Sequence, residues 1–175
     1  MRMIGLAGWS GAGKTTLLTR VIPLLVSRGL RVSTIKHAHH SFDVDVPGKD
    51  SWRHREAGAS EVMVSSGKRF ALMRELRGDA ELSLGELLAR MSPVDLLIVE
   101  GFKTDPHPKI EVHRQANGKP FLHPHDAAIL GLASDAPAAT AIPTVHLDDI
   151  AAVADMMQRL AAPLETVLAR EAARL

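Results

Sequence analysis

Residues 8–15 read Gly8-Trp9-Ser10-Gly11-Ala12-Gly13-Lys14-Thr15 and satisfy the pattern G-x-x-x-x-G-K-[ST]. Gly8, Gly11 and Gly13 permit backbone angles that wrap successive N–H groups, including those of Ser10 and Ala12, around a phosphate. Lys14 adds a full positive charge, and a helix starting there would add its positive end. Thr15 can place its hydroxyl on Mg²⁺, and Thr16 is placed to reach an α-phosphate. The chemistry this predicts is binding of the β- and γ-phosphates of a nucleotide together with Mg²⁺.

Such a loop needs a second acidic group to orient the metal, normally at the end of another strand. Glu100 closes the apolar run Leu96-Leu97-Ile98-Val99 and is one candidate; Asp43 and Asp45, in the acidic segment before Pro47, are others. His37, His39 and His40, with His54 downstream, raise a transition-metal alternative, because His-x-His on an extended segment puts both rings on one face. With no cysteine and no matching Glu-His spacing, nothing in the chain clearly completes such a site. His123-Pro124-His125-Asp126 reads as a loop facing solvent. No residue is singled out as catalytic.

The elements that must position these groups follow from apolar patterning. Strands are expected at Met3–Ala7, Arg31–Lys36, Glu61–Ser65, Phe70–Glu75, Val94–Val99, Lys109–His113, Ala128–Ala133 and Thr144–Leu147. Helices are expected at Lys14–Ser27, Lys49–Gly58, Ser83–Met91, Asp148–Leu160 and Pro163–Leu175. Gly29 suits a helix stop, and Pro23 should kink the first helix. Strands alternating with helices predict an α/β fold with a mostly parallel sheet. At 175 residues the chain is expected to form one domain. Lys plus Arg number 21 against 20 Asp plus Glu, so no global field draws the chain to nucleic acid or an anionic membrane. No apolar run approaches the roughly 18 residues of a membrane span, and the chain opens directly into a strand, so a soluble cytoplasmic protein is expected.

Four segments together, Gly8-Trp9-Ser10-Gly11-Ala12-Gly13-Lys14-Thr15-Thr16-Leu17-Leu18, the stretch from Ile35 to Ala59, Leu96-Leu97-Ile98-Val99-Glu100-Gly101-Phe102-Lys103 and Leu132-Ala133-Ser134-Asp135, resemble the molybdopterin-guanine dinucleotide biosynthesis adaptor family, MobB. The second segment is the specific one: His37-x-His39-His40, then Asp45, Pro47-Gly48-Lys49-Asp50-Ser51 and Ala57-Gly58-Ala59. The resemblance implies a three-layer P-loop NTPase fold over residues 1–175, usually homodimeric, that binds GTP with Mg²⁺ and hydrolyses it slowly if at all. It implies a partner as well, the guanylyltransferase that attaches GMP to molybdopterin, and admits molybdopterin as a further ligand. Carried over by position, Lys14 and Thr15 hold phosphate and metal, Asp45 and Glu100 lie near Mg²⁺, and Lys36, His37, Lys49 and Asp50 complete the cleft.

The Asn-Lys-x-Asp signature of many GTPases is absent, so guanine must be read otherwise. Ser134-Asp135 follows a strand at its carboxyl end, and an Asp carboxylate can accept from guanine N1–H and N2–H₂ together. Two other classes fit a P-loop. A small kinase would need a lid, for which Arg53, Arg55 and Arg69 are the available arginines. A GTPase metallochaperone would use the histidine cluster.

Overall fold

The computed structural model describes residues 1–38 and 42–173. Its strands are β1 (Arg2–Ala7), β2 (Val32–Lys36), β3 (Glu61–Ser65), β4 (Phe70–Arg74), β5 (Leu96–Glu100), β6 (Lys109–His113), β7 (Ile129–Ser134), β8 (Thr144–His146) and β9 (Ala162–Pro163). Its helices are α1 (Lys14–Ser27), α2 (Asp50–Glu56), α3 (Leu84–Leu88), α4 (Ile150–Leu160) and α5 (Leu164–Ala172). The chain divides into two compact units, residues 1–37 with 87–175, and residues 38–86.

The larger unit is built on a sheet of order β2-β5-β1-β6-β7-β8, parallel throughout, with β9 pairing antiparallel to the start of β1. This is the mostly parallel, helix-flanked α/β sheet that the alternating pattern predicts. Strand alternation sends Ile4 and Leu6, Leu96 and Ile98, and Ile110 and Val112 to one face, where they form a single core with α1 and α4. In α1 the buried positions are Leu17, Leu18, Val21 and Leu25, one stripe at helical spacing. From α4, Val153, Met156 and Met157 meet them, each fully buried; such a side chain contributes about 1.5–3 kcal/mol. Pro23 lies within α1 on its exposed side, so the carbonyl it leaves unpaired faces water. Gly29, at φ +83°, ends that turn by donating to the Val26 carbonyl at 2.9 Å.

β1 is the switch point of the sheet. The chain reaches β5 and β2 on one side of it and β6, β7 and β8 on the other, which opens a crevice at the carboxyl end of β1, where open α/β sheets bind ligands. The smaller unit carries α2 and the antiparallel hairpin β3-β4, in which Met63 faces Leu72 and Ser65 faces Phe70.

Two local expectations are corrected. The tail helix begins at Leu164, and Ala162–Pro163 before it is a strand, because Ala162 and Pro163 pair with Met3 and Arg2. The segment His123–His125 is a 3-10 turn docked on the sheet through its partners: buried Glu111 of β6 accepts from the Leu122 and His123 backbone N–H groups at 2.7 and 2.9 Å, and its Oε2 lies 3.0 Å from His123 Nδ1. Asp126 in turn pairs with buried Lys109 Nζ at 3.1 Å.

Candidate nucleotide-binding site

The loop between β1 and α1 has the backbone that the glycines allow. Gly8, Gly11 and Gly13 have φ of +148°, +79° and +91°, and Gly13 is the N-cap of α1, so the helix starts at Lys14 from a left-handed residue. Gly8 has a second reason to lack a side chain: a Cβ there would lie 2.5 Å from the Val112 carbonyl oxygen of the neighbouring strand. Lys14 Nζ donates to the Gly8 and Trp9 carbonyls at 2.9 and 3.0 Å, which folds the ammonium back over the loop. Burial pulls this ammonium below its ordinary range; Glu100 opposes the shift, and Lys103 and Lys36 add to it. A cation half-desolvated among other cations is primed for an anionic ligand.

Glu100 is the last residue of β5 and sits in register between Leu6 of β1 and Lys36 of β2. That register brings its carboxylate to Thr15, whose Oγ1 is 3.3 Å from Oε1 and 3.5 Å from Oε2. Two adjacent ligands of an octahedral Mg²⁺ at its usual bond length stand about 3 Å apart, so a hydroxyl and a carboxylate at this separation suit one hard cation. The turn after Glu100 is shaped to keep it there. Gly101 has φ +100°, and a Cβ on it would come 2.6 Å from His37 Cβ. His37 N–H donates to the Glu100 carbonyl at 2.8 Å, and its ring lies 4.8 Å from that of Phe102.

The other predicted residues fall as follows. Ala12 is buried, and its N–H donates to the Trp9 carbonyl at 3.1 Å. Ser10 offers its carbonyl to Asn117, and Thr16 is exposed at the start of α1. Ser134 is buried, its Oγ accepting from Ala136 N–H at 3.0 Å. Asp135 follows β7; its Oδ1 accepts from Gln115 N–H at 2.7 Å and its Oδ2 is 3.6 Å from Arg114 Nη1. Asp45, Lys49 and Asp50 belong to the smaller unit, where Lys49 and Asp50 begin α2. The Asp45 carboxylate accepts from Ser51 Oγ at 2.8 Å and from Arg55 Nε at 3.2 Å. Arg55 also pairs with Asp43 and Glu75, both at 2.8 Å, and these three carboxylates raise its pKa above the ordinary arginine range. His39 and His40 lie outside the described residues, and among the described residues no group of three or more His, Cys, Asp and Glu could hold a metal ion.

Sequence reasoning missed the wall on the β6 side of the loop. Trp9 Nε1 donates to the Pro120 carbonyl at 2.8 Å, and the ammonium groups of Lys103 and Lys119 each lie 5.9 Å from the Trp9 ring centroid. Asn117 Nδ2 donates to the Ser10 carbonyl at 2.9 Å, so the 3-10 turn Gln115–Asn117 braces the middle of the loop. The available signal was positional: β6 pairs with β1, so whatever follows His113 must pass the loop.

A family described as "Molybdopterin guanine dinucleotide synthesis protein B" matches residues 3–135. The chain is 42% identical over 158 residues to the molybdopterin-guanine dinucleotide biosynthesis adapter protein of Escherichia coli (strain K12), covering 89% of this chain and 90% of that one. To the adapter protein of Haemophilus influenzae it is 41% identical over 156 residues, with coverage of 89% and 87%. Its fold superposes on a crystal structure of a molybdopterin-guanine biosynthesis protein B with a TM-score of 0.72 at 28% identity, over 90% of this chain and 99% of that one. On Bacillus subtilis MobB the TM-score is 0.73 at 24% identity, over 91% and 98%. The P-loop chain with this sheet order belongs to the MobB family.

Proposed function

We propose that this protein is a GTP-binding adaptor in molybdopterin guanine dinucleotide biosynthesis, acting beside the guanylyltransferase that joins GMP to molybdopterin. The observation that carries the reading is the Thr15–Glu100 pair, with oxygens 3.3 Å apart at the end of the strand that flanks the P-loop. Lys14 and the loop N–H groups would take the phosphates, Thr15 and Glu100 the Mg²⁺, and Lys36 and His37 flank the same strand end. The metal supplies charge neutralisation across the β- and γ-phosphates; binding and orientation come from the chain. Molybdopterin is a further ligand in this reading.

Hydrolysis is slow in this reading. In this reading the group that orients an attacking water against the γ-phosphate comes from a partner. The protein works as a homodimer without nucleic acid. Its proposed place of work is the cytoplasm; no helix among the described residues is long and apolar enough to cross a membrane.

Titration with a fluorescent GTP analogue tests the site. Lys14→Ala is expected to abolish binding while leaving the melting temperature nearly unchanged, because among the described residues its ammonium bonds to loop carbonyls alone. Thr15→Ala is expected to weaken binding with Mg²⁺ far more than binding in chelator. Unchanged affinity in Lys14→Ala makes the loop a structural turn, and equal losses in Thr15→Ala take the hydroxyl off the metal.

A further inference from the structure

Arg114 is the first residue beyond β6 and lies on the opposite side of β1 from Glu100. Its guanidinium rests over the bare Cα of Gly13: a Cβ built there would meet Arg114 Nη2 at 3.6 Å and Nε at 3.7 Å. The side chain is 37% exposed, and its ion pair is Asp135 Oδ2 at 3.6 Å, well beyond the 2.7–2.9 Å of a tight charge-assisted bond. No hydrogen bond from the guanidinium to another described residue accompanies that pair. Around it the backbone is held firmly, by Gln115 N–H on Asp135 Oδ1 at 2.7 Å and by Asn117 Nδ2 on the Ser10 carbonyl at 2.9 Å. A planar five-donor cation, loosely paired on a braced backbone, is thus presented at Gly13, the N-cap of α1.

We propose that Arg114 is a nucleotide-binding residue that grips the phosphate chain from the β6 side of the P-loop, with Asp135 holding the guanidinium in place. The inference rests on the P-loop reading above. Its side of the loop decides which phosphates it serves. Thr15 and Glu100 place the metal, and with it the β- and γ-phosphates, toward β5, whereas Arg114 stands toward β6 and β7. Its contacts therefore go to the part of the chain shared by GDP and GTP, and they do not depend on Mg²⁺. Arginine suits this task because its fork can donate two parallel bonds to one phosphate.

The test compares wild type, Arg114→Ala, Arg114→Gln and Arg114→Lys by titration with GTP, GDP and ITP, each with Mg²⁺ and with chelator. Loss of a charge-assisted fork is expected to weaken binding by roughly tenfold or more in Arg114→Ala and Arg114→Gln. The factor should be the same for the three nucleotides and insensitive to Mg²⁺. Lysine should restore part of it, and free methylguanidinium should restore part of it in Arg114→Ala, with the nucleotide-free melting temperature unchanged. Affinities within about twofold of wild type in both truncations overturn the proposal. So does a loss that tracks a lowered melting temperature and resists methylguanidinium, because that marks a structural prop. A wild type that binds none of these nucleotides overturns the P-loop reading itself.

Discussion

Glu100 and Asp135 show how far single residues could be read from type and position alone. Each closes a buried strand at the sheet's carboxyl edge, and each stands where that reasoning expects it. What the sequence hides is whom they touch. Asp135 spends one lone pair of Oδ1 on Gln115 N–H and faces Arg114 with Oδ2, which leaves acceptor capacity on both oxygens for guanine N1–H and N2–H₂. Asp135→Asn is therefore expected to weaken GTP by roughly tenfold or more beyond the loss that GTP and ATP share through a loosened Arg114, and to improve XTP, whose C2 oxygen accepts, relative to both. Competition titrations measure all three; parallel losses for GTP and ATP assign the carboxylate to Arg114 and loop shape alone. Arg114 and Asn117 could not be found from sequence, because neither belongs to a spacing pattern and their roles arise from a register between strands more than a hundred residues apart in order of use.

At the scale of elements, α1 and β3 fall where the periodicity puts them because local pattern specifies them: one apolar stripe for the helix, short β-rich residues for the strand. Elements defined by distant partners were harder to see. β9 exists only by pairing with Arg2 and Met3, and β6 alternates polar and apolar residues as a half-exposed strand would, yet Lys109, Glu111 and His113 are all buried. Lys109 pairs with Asp126, Glu111 accepts from the Leu122 and His123 N–H groups, and His113 Nε2 lies 3.0 Å from the Lys119 carbonyl, partners that the strand's own pattern does not announce. The hairpin β3-β4 carries the opposite anomaly. Met63, Phe70 and Leu72 share one of its faces and are 64%, 71% and 52% exposed, an apolar surface on a two-stranded sheet that is marginal alone.

For the whole molecule, a net charge of +1 gives no long-range field, so specificity has to come from local constellations such as the P-loop. The same economy makes stability sensitive to acid at one point. His107 is fully buried with both ring nitrogens lacking partners among the described residues, and burial, aided by Lys109 and opposed by Asp126, lowers its pKa to about 4. Below pH 6.5 the unfolded chain takes up a proton at this ring that the folded chain refuses until about pH 4, so its contribution is complete above 6.5 and falls away with acidification. The loss over that window is about 3 kcal/mol at most. Urea unfolding at neutral and acidic pH should show a smaller difference for His107→Leu than for wild type; an equal difference assigns the acid sensitivity to other groups. The central claim, a nucleotide-dependent adaptor, is tested most directly by measuring association of the full chain with the molybdenum cofactor guanylyltransferase, with and without GTP and Mg²⁺, for wild type and Lys14→Ala. The expected result is a complex that GTP strengthens in wild type and does not strengthen in Lys14→Ala. No association under either condition, or an association indifferent to both GTP and Lys14, would contradict it.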